Sequence, residues 1–210
     1  MRAARDAGST FVFFSSDYVF DGKGGPYGED DPVSPINEYG RQKVEAERGI
    51  AAIGRNHLIL RISGVFGWEL GRKNFVLQVV DRFTAGQPVQ AASDIVYNPT
   101  YACDLPAVVA ELVEGGARGL FHACGPQELP RRDFAARAAD TFGFDGSRVA
   151  AVSADSMKTD APRPRRTGMR TGKLLAATKT PMRGAADALR HMKAEEAAWL
   201  AYAASFAKVP

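Results

Sequence analysis

Short, continuous apolar runs alternate along this chain with stretches of helical period, and that alternation leaves few folds open. FVFF at 11–14, HLILRI at 57–62 and GLFHA at 119–123 lack the polar–apolar alternation of a half-exposed strand. They have the pattern of strands buried on both faces of a parallel sheet. Between them, Phe75, Val76, Val79, Val80 and Phe83 recur at helical spacing, and Leu105, Val108, Val109, Leu112 and Val113 form a second stripe. Strand and helix in regular succession predict an α/β fold: a parallel sheet with helices on both faces, plus a small C-terminal lobe.

Local signals divide the chain further. Residues 2–7 read as the end of a helix closed by Gly8, and 21–33 (DGKGGPYGEDDPV) as a loop. Ser34-Pro35 predicts a capped helix running to about Ala52 with Gly54 as its stop. PVQAA (88–92) predicts a short strand, Asp104 a helix cap, and the segment from about Pro130 to Phe142 a helix. RVAAVS (148–153), a basic loop (161–173) and one final helical pattern through Leu189, Met192, Leu200, Ala203 and Phe206 complete the lobe.

Composition narrows the class. The chain has 210 residues, 45% hydrophobic and 24% charged, which suits a single globular unit with a real core. A net charge of +3 is too mild to imply nucleic acid or an anionic membrane as partner. Cys103 and Cys124 lack disulfide-framework or metal-ligand spacing, so no metal site is expected, both are read as buried small hydrophobes, and a cytoplasmic location is expected. No apolar run reaches transmembrane length.

The residues that carry chemistry are Tyr39 and Lys43 in EYGRQK. Spacing of i, i+4 puts them on one helix face, and a nearby ammonium favours phenolate over phenol, which equips such a tyrosine for proton transfer. The run FVFF ends in Ser15-Ser16, whose hydroxyls arrive at the carboxyl edge of the sheet, where α/β folds bind ligands. Serine and tyrosine together can hold a carbonyl oxygen and stabilise the alkoxide it becomes. His122, at a strand end, reads as a satisfied core histidine without a role, and Asn98-Pro99-Thr100 as a structural turn.

SSDYVFDG, GPYGEDDPVSPINEYGRQK, LRISGVFG, NPTYACDL, GLFHACG and RPRRTGMRTGK, in that order, resemble the dTDP-4-dehydrorhamnose reductase family of extended short-chain dehydrogenase/reductases. The resemblance implies a Rossmann-type sheet, a nicotinamide cofactor (NADP or NAD) and reduction of a 4-keto group on a nucleotide-linked deoxysugar. It implies Ser16, Tyr39 and Lys43 as catalytic residues. Ser15, Tyr39, Lys43, Ser63 and Gly64 would lie beside the cofactor, and Asp17, Tyr18, Asn74 and Arg163 beside the substrate.

Two departures accompany the resemblance. Gly64 stands where the reductases commonly carry tryptophan, which removes a large stacking surface. No G-x-x-G-x-x-G or G-x-G-x-x-G occurs, so the loop that would bind the cofactor pyrophosphate is not found. The expectation is a single shortened domain, with 1–70 as the second half of a Rossmann core and 71–210 mixing core with substrate lobe. NAD(P) binding by this chain alone is expected to be weak or absent. The methionine adenosyltransferase beta subunit, whose family pattern also begins SSDYVFDG, supplies the alternative: a non-catalytic subunit of a regulated enzyme partner. A homodimer is compatible with either reading.

Overall fold

The structure, a computed structural model, describes residues 2–206. Helix α1 (Arg2–Asp6) leads into strand β1 (Phe11–Ser16), and a long loop then reaches helix α2 (Glu38–Ile53) and strand β2 (His57–Ile62). The start of α2 lies after Ser34-Pro35, the predicted opening. Asn37 is the cap instead, its side chain accepting from the Gly40 N–H at 2.8 Å, while Gly54 ends the helix as expected. Next come β3 (Val65–Phe66), α3 (Phe75–Thr84), β4 (Val89–Ala92), β5 (Val96–Tyr97) and β6 (Thr100–Tyr101). Helix α4 (Leu105–Glu114) and strand β7 (Gly119–His122) follow. The remainder holds β8 (Leu129–Pro130), α5 (Arg131–Thr141), β9 (Val149–Val152), α6 (Gly172–Ala177), α7 (Ala185–Ala194) and α8 (Glu196–Phe206).

The expected parallel sheet is present, in the order β1-β2-β7, with Phe11 opposite His57 and Arg61 opposite His122. Strand β2 is central, and five of its six residues are buried. Leu58 and Leu60 pack with Leu105, Val108 and Leu112 of α4, while α2 covers the other face. The small lobe is built from two-stranded pairs: β3 with β6 and β4 with β9, both parallel, and β5 with β8, antiparallel. Its core joins α3, α5 and α7 through Leu77, Phe134, Leu189 and Met192.

Several sequence expectations change on this frame. FVFF is not buried on both faces: among the described residues β1 pairs with β2 alone, residues 11–13 are half-buried, and Phe14 is 40% exposed. The missing glycine-loop half already implies an unpaired side for this strand. Asp104 precedes α4 without capping it; its carboxylate instead accepts from the Arg183 backbone N–H at 2.8 Å and pairs with the Arg183 guanidinium. The final helical pattern is two helices, and Leu200 and Phe206 on the second are exposed. Cys124 is buried, but Cys103 is exposed. Among the described residues no helix is long and apolar enough to cross a membrane, and no group of three His, Cys, Asp or Glu is placed to hold a metal.

Candidate active site

The carboxyl end of β1 delivers two hydroxyls in opposite directions, because successive side chains alternate across a strand. Ser15 Oγ donates to Glu47 Oε1 of α2 at 2.5 Å. Arg61 of β2 grips the same carboxylate with two N–H groups, Nε to Oε1 at 3.0 Å and Nη2 to Oε2 at 2.7 Å. Tyr39, Lys43 and Glu47 lie at i, i+4 and i+8, so this buried clamp fixes the helix face that carries Tyr39 and Lys43 against the serine strand. Helix α2 also approaches the loop after β1 very closely, since a Cβ on Gly40 would lie 2.2 Å from the Tyr18 carbonyl oxygen. Only glycine permits that contact.

Ser16, on the other side, turns inward to Asp17. Its Oγ donates to Asp17 Oδ1 at 3.0 Å and accepts from the Tyr18 N–H at 3.2 Å. Asp17 is a hub more than a surface group: Ser63 Oγ (2.9 Å) and Thr167 Oγ1 (2.6 Å) both donate to its Oδ2. Burial raises its pKa above the ordinary carboxylate value, and the three hydroxyl donors oppose that shift. The carboxylate thereby ties the ends of β1 and β2 to the basic loop. Thr100 Oγ1 donates to the Ser63 carbonyl at 2.5 Å, and Asn98 bridges Gly125 O and the Met169 N–H, so the Asn98-Pro99-Thr100 turn has the structural role expected of it.

Tyr39 stands 51% exposed at the rim, with its ring edge-on to Tyr18 at 5.8 Å. Lys43 Nζ lies 5.5 Å from the centre of the Tyr39 ring and donates to the Phe14 carbonyl at 2.9 Å. Two N–H groups of that ammonium remain for a ligand. Gly64 is exposed where the chain leaves β2, and Asn74 is occupied locally, capping α3 at the Leu77 N–H and donating to the Gly67 carbonyl.

Tyr18 and Tyr39 open onto a cavity of about 440 Å³ shared with the 158–163 segment. A second cavity of about 580 Å³ shares Lys158, Thr159, Pro162 and Arg163 with it and extends to Arg131. Arg163 and Arg131 form no ion pair among the described residues. Burial holds the Arg131 guanidinium below its ordinary pKa, and the positive charge of Arg163 adds to that. Its flat face lies on Phe75, 3.9 Å from the ring centre. A half-buried cation facing a second cation across a cavity is a site for an anion. Burial also keeps the Tyr18 phenol above its usual pKa, opposed by Arg163.

The site therefore brings Ser16, Asp17, Tyr18, Ser63, Tyr39, Lys43 and Arg163 around one edge of the sheet, with Ser15 and Asn74 spent on holding it. Sequence reading missed Arg131, Glu47 and Thr167. Arg131 carried a signal: with Arg132 it opens α5 with two cations, against the helix dipole. His122 is fully buried, and its Nδ1 lies 3.2 Å from the Arg170 carbonyl, but its Nε2 has no partner, so it is not the fully satisfied core histidine expected.

Comparison with known proteins identifies the family. The dTDP-4-dehydrorhamnose reductase of Mycolicibacterium smegmatis is 32% identical over 192 residues, covering 90% of this chain and 58% of the relative. Methionine adenosyltransferase 2 subunit beta of Danio rerio is 28% identical over 194 residues, covering 87% of this chain and 60% of that protein. The chain thus spans about three-fifths of the length of these curated relatives. Among solved structures, a dTDP-4-dehydrorhamnose reductase of Bacillus anthracis in complex with NADP superposes with a TM-score of 0.85 at 24% identity, over 92% of this chain and 68% of that one. The family model for the RmlD substrate binding domain matches residues 1–198, and the chain belongs to that family.

Proposed function

We propose that this chain carries the reacting groups and the substrate lobe of a nicotinamide-dependent reductase acting on a 4-keto nucleotide sugar, with residues 1–70 supplying the reacting edge and 71–210 the remaining core and the lobe. The observation that carries this reading is a pair of cavities with a common wall. Tyr39, the proton donor, lines one and Arg131 the other, and Arg163 lines both, so a sugar at Tyr39 would direct its diphosphate towards two unpaired guanidinium groups. The relative named dTDP-4-dehydrorhamnose reductase supports the same substrate class.

The residues present fit one end of NAD(P)H. The two free N–H groups of Lys43 suit ribose hydroxyls. No glycine-rich turn opens a helix among the described residues, so pyrophosphate contacts are not found here and NAD(P)H binding by these residues alone is weak. When bound, the cofactor supplies a hydride to the carbonyl carbon. Tyr39 Oη holds the carbonyl oxygen and passes its proton to it as it gains charge, and Ser16 Oγ joins it by turning its O–H from Asp17 to that oxygen. Lys43 holds the tyrosine's electrostatic environment, and Asp17 holds Ser16.

The test is binding of dTDP-L-rhamnose by calorimetry together with oxidation of NADPH by dTDP-4-dehydro-6-deoxy-L-mannose. Binding and slow turnover at high NADPH are expected, with Tyr39→Phe lowering turnover about 10²–10⁴-fold. Absence of both binding and turnover overturns the reading. A second reading, a non-catalytic subunit of a regulated enzyme partner, is favoured by the relative from Danio rerio and by Gly64. Co-purification with a catalytic partner and no turnover of any nucleotide sugar would support it.

A further inference from the structure

Tyr97 ends β5 with its side chain 5% exposed, and two surfaces hold its ring. On the core side it meets Phe134 edge-to-face, with ring centres 6.3 Å apart at 90°. On the outer side it lies directly under Gly64. A Cβ built at Gly64 would sit 2.1 Å from Tyr97 Cε2 and 2.4 Å from Cδ2, and Gly64 has a φ of +51°, in the left-handed region that favours glycine. No side chain at 64 can coexist with the tyrosine in this position. The aromatic surface beneath the loop that leaves β2 therefore comes from β5, through a residue that approaches from the core.

The ring is held, but the hydroxyl is not. Tyr97 Oη has no hydrogen-bond partner among the described residues, and it is not among the fully enclosed polar atoms. A phenol taken this far out of water ordinarily finds a partner. The groups whose charge bears on it are Arg131, Asp17 and Tyr18, which belong to the candidate active site. The Asp17 carboxylate accepts from Ser16, Ser63 and Thr167 and not from Tyr97. Tyr97 Oη is thereby left free to hydrogen-bond a ligand.

We propose that Tyr97, seated against the bare backbone of Gly64, is a specificity-determining substrate contact whose hydroxyl hydrogen-bonds a hydroxyl of the hexose in a nucleoside-diphosphate sugar. The proposal rests on the nucleotide-sugar reading of the site and adds to it the residue that distinguishes sugar from nucleotide. Tyr97→Phe removes Oη and keeps the ring, so the packing on Phe134 and Gly64 is retained and thermal melting should be nearly unchanged.

Calorimetric titration of the full chain and of Tyr97→Phe with two probes, dTDP and dTDP-L-rhamnose, tests it. The expected result is unchanged affinity for dTDP and an affinity for dTDP-L-rhamnose weakened about five- to tenfold, the scale of one net hydrogen bond. Unchanged affinity for both probes overturns the proposal and leaves the nucleotide-sugar reading standing. Equal weakening for both probes also overturns it, because the hydroxyl would then face the nucleotide. If the wild-type chain binds neither probe, the nucleotide-sugar reading fails and the proposal fails with it.

Discussion

At the scale of single residues, two positions carry consequences that can be measured directly. Gly64→Ala adds a methyl where Tyr97 already lies and forces a positive φ on a residue with a side chain. A loss of about 1–3 kcal/mol in unfolding free energy is expected, read from the urea midpoint at constant slope. His122 bears on pH. Burial pushes its pKa down to about 4; the neighbouring Glu29 opposes that, and Arg61 adds to it. The folded state therefore binds fewer protons than the unfolded state between about 4 and the ordinary 6.5. Stability from this group is full above pH 6.5 and is lost as pH falls towards 4. At 1.36 kcal/mol per pH unit that window is worth roughly 3 kcal/mol. Urea midpoints measured from pH 7 to 4 should fall more steeply for the wild type than for His122→Gln; parallel curves would show that this histidine does not titrate on unfolding.

At the scale of elements, the clamp from α2 to β1 and β2 outweighs the surface ion pairs. The Arg61 and Glu47 side chains are 4% and 10% exposed, whereas those of the Arg41–Glu38 pair on the same helix are 53% and 68% exposed. Glu47→Gln leaves a buried guanidinium without its counter-charge and should cost about 3–5 kcal/mol, whereas Arg41→Ala should cost less than about 1 kcal/mol. Equal midpoints for the two variants would show that the buried pair does not clamp the helix. Strand β1 makes a second case. Its Phe11 N–H bonds towards β2, so by alternation Val12 and Phe14 direct their backbone groups to the open edge, where Lys43 takes the Phe14 carbonyl. Amide exchange at Val12 and Phe14 should be faster than at Leu58 and Leu60, both inside the sheet.

At the scale of the whole molecule, the lobe and the sheet share one cleft, because the basic loop threads back to Asp17 through Thr167 and to the cap of α2, where Asn37 Nδ2 donates to the Pro162 carbonyl at 2.9 Å. NADPH fluorescence titrated with the chain alone should rise without saturating, and tight saturable binding would show that residues other than a glycine loop hold the pyrophosphate. The alternation of apolar runs and helical stripes determined the α/β class and the parallel sheet, since burial on two faces needs such runs. The spacing of Tyr39 and Lys43 determined that they share a helix face, because helical geometry is local. Only the tertiary structure decided that Glu47 clamps that face, that Asp17 serves three hydroxyls and not the cavity, that Arg131 joins Arg163, and that Tyr97 fills the space over Gly64. Apart from Ser16 on Asp17, these pairings join residues 14 to 150 positions apart, and no local period records them.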